Sequence, residues 1–347
     1  MKKFALIALM TLATVSAHCG DYFSSLEFLY MKPAVDGLEF GVEQTIGFGG
    51  SGAQITAEND DLSYKWNPGF RIEIGNLSPS QWDLSLGYTF LYGSADGSLT
   101  SPNQNTFINI AWFPDTLGGV ATQANAKWNC DVNRLDLVLG KPFSIGDCFS
   151  LRPMVGLRGA SIIQHYRAKY GAIFVSMAEL IVLAPFNSKL KFRQQFGGAG
   201  IHAGCDFLWN FSSSWSFYSG VAGSLMYGQF SLKEEVFGAF FVDAGGTPAL
   251  ITQTGVLREK YCRVRTDIEA EIGVRCLKYL YHRPIEFSIS YQIYSMFGQN
   301  EFINLLSSFD NQLIGDGFRN SISSVAAVRK GTPLTFQGIK IGGEISF

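Results

Sequence analysis

Apolar and polar residues alternate singly along most of this 347-residue chain. The last stretch shows the pattern plainly. Ile339, Ile341, Ile345 and Phe347 fall on one side, and Lys340, Gly342, Glu344 and Ser346 on the other. A period of two marks a strand with one apolar and one polar face. Such a strand ending on an aromatic residue predicts the closing strand of a membrane barrel, which needs an apolar face for lipid and an aromatic at the interface.

The same alternation predicts nine earlier strands. In the first, Leu26, Phe28 and Tyr30 oppose Glu27, Leu29 and Met31. In the second, over 64–75, Phe70, Ile72 and Ile74 oppose Arg71 and Glu73. In the third, Trp82, Leu84, Leu86, Tyr88 and Phe90 alternate with Asp83, Ser85, Gly87 and Thr89. The fourth sets Leu135, Leu137 and Leu139 against Arg134, Asp136 and Val138. Its upper part, 128–132, is in the other phase, so a bulge is expected near Val132. The fifth turns Val155 and Leu157 away from Arg152 and Arg158. The sixth turns Ile201 and Phe207 away from His202 and Asp206, and the seventh Val221 and Leu225 away from Gly220 and Ser224. The eighth sets Ile268, Ala270 and Ile272 against Asp267, Glu269 and Glu271, and the ninth Phe287, Ile289 and Tyr291 against Ser288 and Ser290. Connections are long after odd strands and short after even ones. That is the rhythm of long outer loops and short periplasmic turns, with both termini periplasmic.

The expectation is therefore an all-β fold: a transmembrane antiparallel β-barrel of about ten strands. A further strand hidden within 40–48 would raise the count to twelve or more. In the last outer segment, Phe302, Leu305, Leu306, Phe309 and Leu313 recur at helical spacing, which predicts a short amphipathic helix.

Composition sharpens this picture. Met1, Lys2 and Lys3 precede an apolar run over 4–13 and small residues near Ala17, which predicts a secretory signal peptide over 1–19 and one barrel domain over 20–347. No other segment offers the ~20 uninterrupted apolar residues of a helical span. The chain is 47% hydrophobic yet only 16% charged, below the usual ~25%. Net charge is −2, more negative once Lys2 and Lys3 leave, which argues against nucleic acid as a partner. The implied setting is the bacterial outer membrane, with outer-membrane lipid as the first partner. The closing strand would engage the barrel-assembly machinery.

Export permits disulfides. Cys262 and Cys276 fall on one strand, ~45 Å apart, too far to pair. Cys130 and Cys148 are expected at the surface, where they could crosslink copies, so self-association stays open. No CxxC occurs, and neither metal nor other cofactor is expected. The cluster Gly197-Gly198-Ala199-Gly200 lacks the Lys-Ser/Thr of a phosphate loop and reads as close packing within a strand.

Several stretches resemble the Legionella-type major outer membrane protein family, which also occurs in environmental relatives of Chlamydia. They are Trp66-Asn67-Pro68-Gly69-Phe70-Arg71, then Leu135-Asp136-Leu137 through Gly140-Lys141-Pro142-Phe143, then Ser150-Leu151-Arg152-Pro153-Met154-Val155-Gly156-Leu157-Arg158-Gly159-Ala160, and Leu225-Met226-Tyr227-Gly228-Gln229-Phe230. Gly198-Ala199-Gly200-Ile201-His202 departs from the family wording, which carries Pro-Arg at that place. The resemblance implies an outer-membrane porin and identifies no solute.

The inward-facing charges carry the candidate chemistry. Arg71, Glu73, Arg134, Asp136, Arg152, Arg158, Glu269, Glu271 and Lys340 are expected to line the pore. A cation facing lipid at the midplane would cost ~2–4 kcal/mol. In one arrangement Arg158 and Arg152 oppose Glu269 and Glu271 and impose a transverse field that selects among small ions or solutes. In the other the same charges form a plug. Short inward residues (Ser85, Gly87, Gly220, Ser224) would leave room for a narrow pore. The alternatives are a surface adhesin or structural wall barrel with a plugged lumen, and an outer-membrane hydrolase using His165 at the rim. The expectation is a porin and not an enzyme.

Overall fold

The alternation becomes backbone. The computed structural model describes residues 22–49, 52–76, 82–101, 106–110, 119–177, 180–183, 187–243, 248–280, 283–314 and 317–347. The expected signal peptide and the 77–81 turn lie outside these residues. In chain order the strands are β1 (Tyr22–Val35), β2 (Gly41–Gly49), β3 (Gly52–Asp60), β4 (Ser63–Tyr64), β5 (Asn67–Asn76), β6 (Asp83–Thr100), β7 (Thr106–Ile110) and β8 (Gly119–Gly140). There follow β9 (Phe143–Ile145), β10 (Phe149–Met177), β11 (Leu180–Leu183), β12 (Asn187–Asn210), β13 (Trp215–Asp243), β14 (Pro248–Leu280), β15 (Arg283–Ile314) and β16 (Gly317–Ser346).

Ten of them, β1, β5, β6, β8, β10, β12, β13, β14, β15 and β16, pair antiparallel in that order. Pairing of β16 with β1 and of β8 with β10 closes the ring. The hairpin β2–β3, expected as a hidden strand within 40–48, joins β7 in a small flanking sheet.

Hydrogen-bonded partners can be followed once round the wall. From Phe23 the path runs through Gly75, Ser85, Val138, Gly156, His202, Ser224, Asp267, Met296 and Leu334. It re-enters β1 at Val35, twelve residues beyond Phe23 (35 against 23). The stagger is even, so the inward face meets itself, and it tilts the strands by about 40°.

Lower on the wall the outer face is apolar. Leu84, Leu86, Leu135, Leu137, Val155, Leu157, Ile201, Ile268, Ile289 and Ile341 are all exposed. Trp82, Phe143, Phe149, Trp209 and Trp215 form a lower aromatic girdle, with Phe149 stacked on Trp209 at 5.9 Å. Tyr30 stacked on Trp66 at 5.4 Å marks the upper one. This is the lipid-facing band of an outer-membrane barrel.

Above the band the polarity of the two faces reverses. On β8, Lys127 and Asn129 face outward, while Trp128, Cys130 and Val132 are buried inside. The same strand lower down buries Arg134 and Asp136 and exposes Leu135 and Leu137. Register with β6 runs unbroken from Leu91↔Val132 to Asp83↔Gly140, so the bulge expected near Val132 is absent. The phase never changed; the surroundings of the wall did, from lipid to water. Cys130 is likewise buried rather than at the surface, while Cys148 and Cys262 are exposed.

The segments expected as long outer loops are largely strand. The β13–β14 hairpin pairs from Trp215↔Cys276 to Asp243↔Pro248. The helix expected from Phe302 to Leu313 is also strand, with Phe302↔Lys330 and Leu313↔Phe318 in the β15–β16 ladder. That ladder supplies partners for the backbone groups of both segments, whereas an isolated helix of such length is marginal in water. A register shift between Met296 and Asn300 places Gly298 at φ +57°, a left-handed conformation that glycine adopts without strain.

Candidate functional site: a charged layer across the lumen

All nine residues expected to line the lumen face inward. Tilted strands bring carboxylates of β8 and β14 to an arginine of β10. Arg158 Nε donates to Asp136 Oδ1 at 2.7 Å, Nη1 to Asp267 Oδ1 at 2.9 Å and Nη2 to Glu269 Oε2 at 3.2 Å. Arg134 Nη1 donates to the same Glu269 oxygen at 2.7 Å, and its Nε lies 2.9 Å from Asp136. Gln292 Nε2 and Tyr294 OH complete the carboxylates, at 2.6 Å to Glu269 and 3.2 Å to Asp267. Arg158, Arg134, Asp136 and Asp267 are between 0 and 3% exposed. At this level charged side chains from β8, β10 and β14 meet across the lumen.

Next to this layer Lys340 Nζ bridges Glu27 and Glu271, 2.8 Å from each. Arg71 pairs with Glu73 at 3.0 Å and reaches Glu269 at 3.9 Å. Toward the short-turn end, Arg152 donates to Asp83 and Asp206, each at 2.8 Å. The expected opposition is thus half right. Arg158 meets Glu269, but Arg152 and Glu271 do not face each other, because the stagger gives each a nearer partner.

Several of the small inward residues have long charged side chains lying over them. The Arg152 guanidinium lies over Gly140, where an added Cβ would sit 2.6 Å from Nε. Asp206 covers Gly220, with Oδ1 2.9 Å from such a Cβ, and Arg71 passes Gly87. Small residues are the sockets that long charged side chains occupy. Gly200, in the glycine cluster, instead admits the neighbouring strand: a Cβ there would meet Leu225 O at 1.9 Å.

Sequence reading set Asp267, His202, Asp83 and Asp206 on the inward face but gave them no role. Asp267 anchors Arg158. His202 Nε2 lies 3.4 Å from Arg158 Nη2, and its Nδ1 lies 3.0 Å from Ser224 Oγ. His165 faces outward on β10, opposite Arg193 and Asn129, away from the lumen.

Above the charges lies an apolar stratum. Trp128, Tyr166, Phe196, Phe230, Phe336 and Met296 are at most 2% exposed, with Phe196 and Phe230 rings 4.7 Å apart. Tyr294 joins the two layers: the Arg134 guanidinium carbon lies 4.8 Å from its ring centroid. Among the described residues no group of three or more His, Cys, Asp or Glu could hold a metal ion.

The family described as Legionella pneumophila major outer membrane protein precursor matches residues 14–347. No curated protein matches the chain. Forty-five solved chains match, and three of them follow. The outer membrane protease OmpT from Escherichia coli is 9% identical, covering 94% of this chain and 97% of that one, with a TM-score of 0.44. The deltaS2S3 mutant of the monoaromatic hydrocarbon channel TodX is 10% identical, covering 96% and 92%, with a TM-score of 0.25. A FadL homologue of Pseudomonas aeruginosa is 8% identical, covering 94% and 90%, with a TM-score of 0.24.

Proposed function

The chain belongs to the Legionella major outer membrane protein family, and from that premise we propose that it is an outer-membrane porin whose narrow lumen is shut at rest by the Arg158 layer. Small hydrophilic solutes or ions cross passively when the layer parts. No cofactor and no catalysis enter this reading, and β16 is the strand offered to the assembly machinery.

One observation carries it. Arg158 spans from β10 to carboxylates on both β8 and β14. Replacing a buried ion network by well-packed apolar residues is often neutral or stabilising by about 1–4 kcal/mol. A charge layer kept at that expense, inside a barrel already able to pack Phe and Trp, makes sense where water and ions pass. Glu27, Glu73, Asp136, Asp267, Glu269 and Glu271 outnumber Arg71, Arg134, Arg158 and Lys340, so the open path favours cations.

The test is a planar-bilayer recording of the Glu269→Gln, Glu271→Gln double variant. Cation preference should fall, read as a reversal potential moved toward zero in a salt gradient. An unchanged reversal potential and conductance would remove these carboxylates from the path. A second reading, a plugged wall barrel, is favoured by the apolar stratum of Phe196, Phe230 and Phe336. It predicts no current at any voltage. Peptide or lipid turnover abolished by His165→Ala would instead support a hydrolase.

A further inference from the structure

The outer wall above the lipid band carries a patch of cations that the lumen does not use. On β8, β10 and β12, Lys127, Arg167 and Lys191 are direct cross-strand partners in one row. On β12, β13 and β14, Arg193, Lys233 and Arg258 form a second row. Five of the six are exposed, and Lys233 is half-buried. Glu235 pairs with Lys233 and lies 4.0 Å from Lys191. Asp96 on β6 stands opposite Lys127 and Glu235 opposite Lys191, at the two ends of the first row, but Lys127, Arg167, Arg193 and Arg258 make no ion pair within 4.0 Å among the described residues.

Like charges directly opposite each other destabilise a sheet. Two such rows on adjoining strands, in a chain of net charge −2, call for an anionic partner. Position selects the partner. The cations share strands with the lipid-facing Leu135, Leu157, Ile201, Leu225 and Ile268. With a rise of about 3.3 Å per residue and a tilt of about 40°, they stand roughly 20–25 Å above these residues and roughly 10–15 Å above Ile163, Tyr227 and Val264, the upper apolar positions of the outer face. Their long stems can reach down from there. That is the height of the phosphorylated sugars of an outer-leaflet glycolipid, and the rows span about 20 Å across five strands, wide enough for two phosphoryl groups of one headgroup.

We propose that this face of β8, β10, β12, β13 and β14 binds the phosphorylated disaccharide headgroup of an outer-leaflet glycolipid, with acyl chains lying on the apolar wall below. The test titrates the purified full chain, in zwitterionic detergent, with bisphosphorylated lipid A, its dephosphorylated form, inorganic phosphate and heparin. The bisphosphorylated lipid should bind at least tenfold tighter than the dephosphorylated form. The Lys127→Gln, Arg167→Gln, Lys191→Gln, Arg193→Gln variant should lose that factor. Without lipid this variant should melt no lower than the parent, because repulsion between the rows is relieved. Binding to the unaltered chain should also weaken as salt rises, a readout that needs no variant. Equal binding of the two lipids, an unchanged variant or salt-independent binding would overturn the proposal. So would inorganic phosphate competing at equal concentration, which assigns a free anion, or heparin binding more tightly, which assigns a partner beyond the membrane.

Discussion

Arg158 shows what one side chain can hold together. It is buried, and its fork reaches Asp136, Asp267 and Glu269 at once. Arg158→Met should cost about 3–5 kcal/mol, since it leaves carboxylates buried without their cation; urea unfolding in detergent measures it. Arg158→Lys should recover only part, because a point charge cannot match three planar donor directions. At this scale the sequence was informative about direction and silent about partners. Period two put each of the nine charges on the inward face. It could not pair Arg152 with Asp83 or Lys340 with Glu271, because opposition across a barrel depends on the twelve-residue stagger, a property of the closed ring. Asp267 and His202 went without a role for the same reason: nothing in the residues beside them marks the arginine they meet.

Strands show why the pattern misled where it did. In β8 a single inward face passes from Asp136 and Arg134 to Val132, Cys130 and Trp128. Read with one rule for the whole strand, that change looks like a slipped register and invites a bulge. Two rules apply: apolar outside in lipid, apolar inside above it. Leu137→Arg, in the lipid band, should therefore cost about 2–4 kcal/mol. Asn129→Arg, eight residues up the same outer face, should leave stability unchanged within about 0.5 kcal/mol. Equal costs would show that the wall does not change surroundings between them. Trp128→Ala should cost about 3–5 kcal/mol, as for a packed core aromatic, although it lies on a membrane barrel strand. The helical spacing of Phe302 to Leu313 failed for a related reason. An apolar period is a weak instruction when a neighbouring strand offers a full ladder.

For the whole molecule, the ten-strand ring, its closure and its short-turn end were legible, because alternation and loop-length parity are repeated along the chain and each strand supports the others. The packing of charges across the lumen was not legible. Small inward residues suggest space in a sequence, but in three dimensions they accommodate arginine and aspartate from adjacent strands. The result is a barrel with charges packed across its middle and aromatics stacked above them. Single-channel recording of the purified, unaltered protein in a planar bilayer tests this account most directly. It predicts a mostly silent barrel with brief, small, cation-preferring openings that lengthen in Arg158→Ser. A large, steadily open conductance that Arg158→Ser leaves unchanged would contradict it, as would silence in both proteins at every voltage.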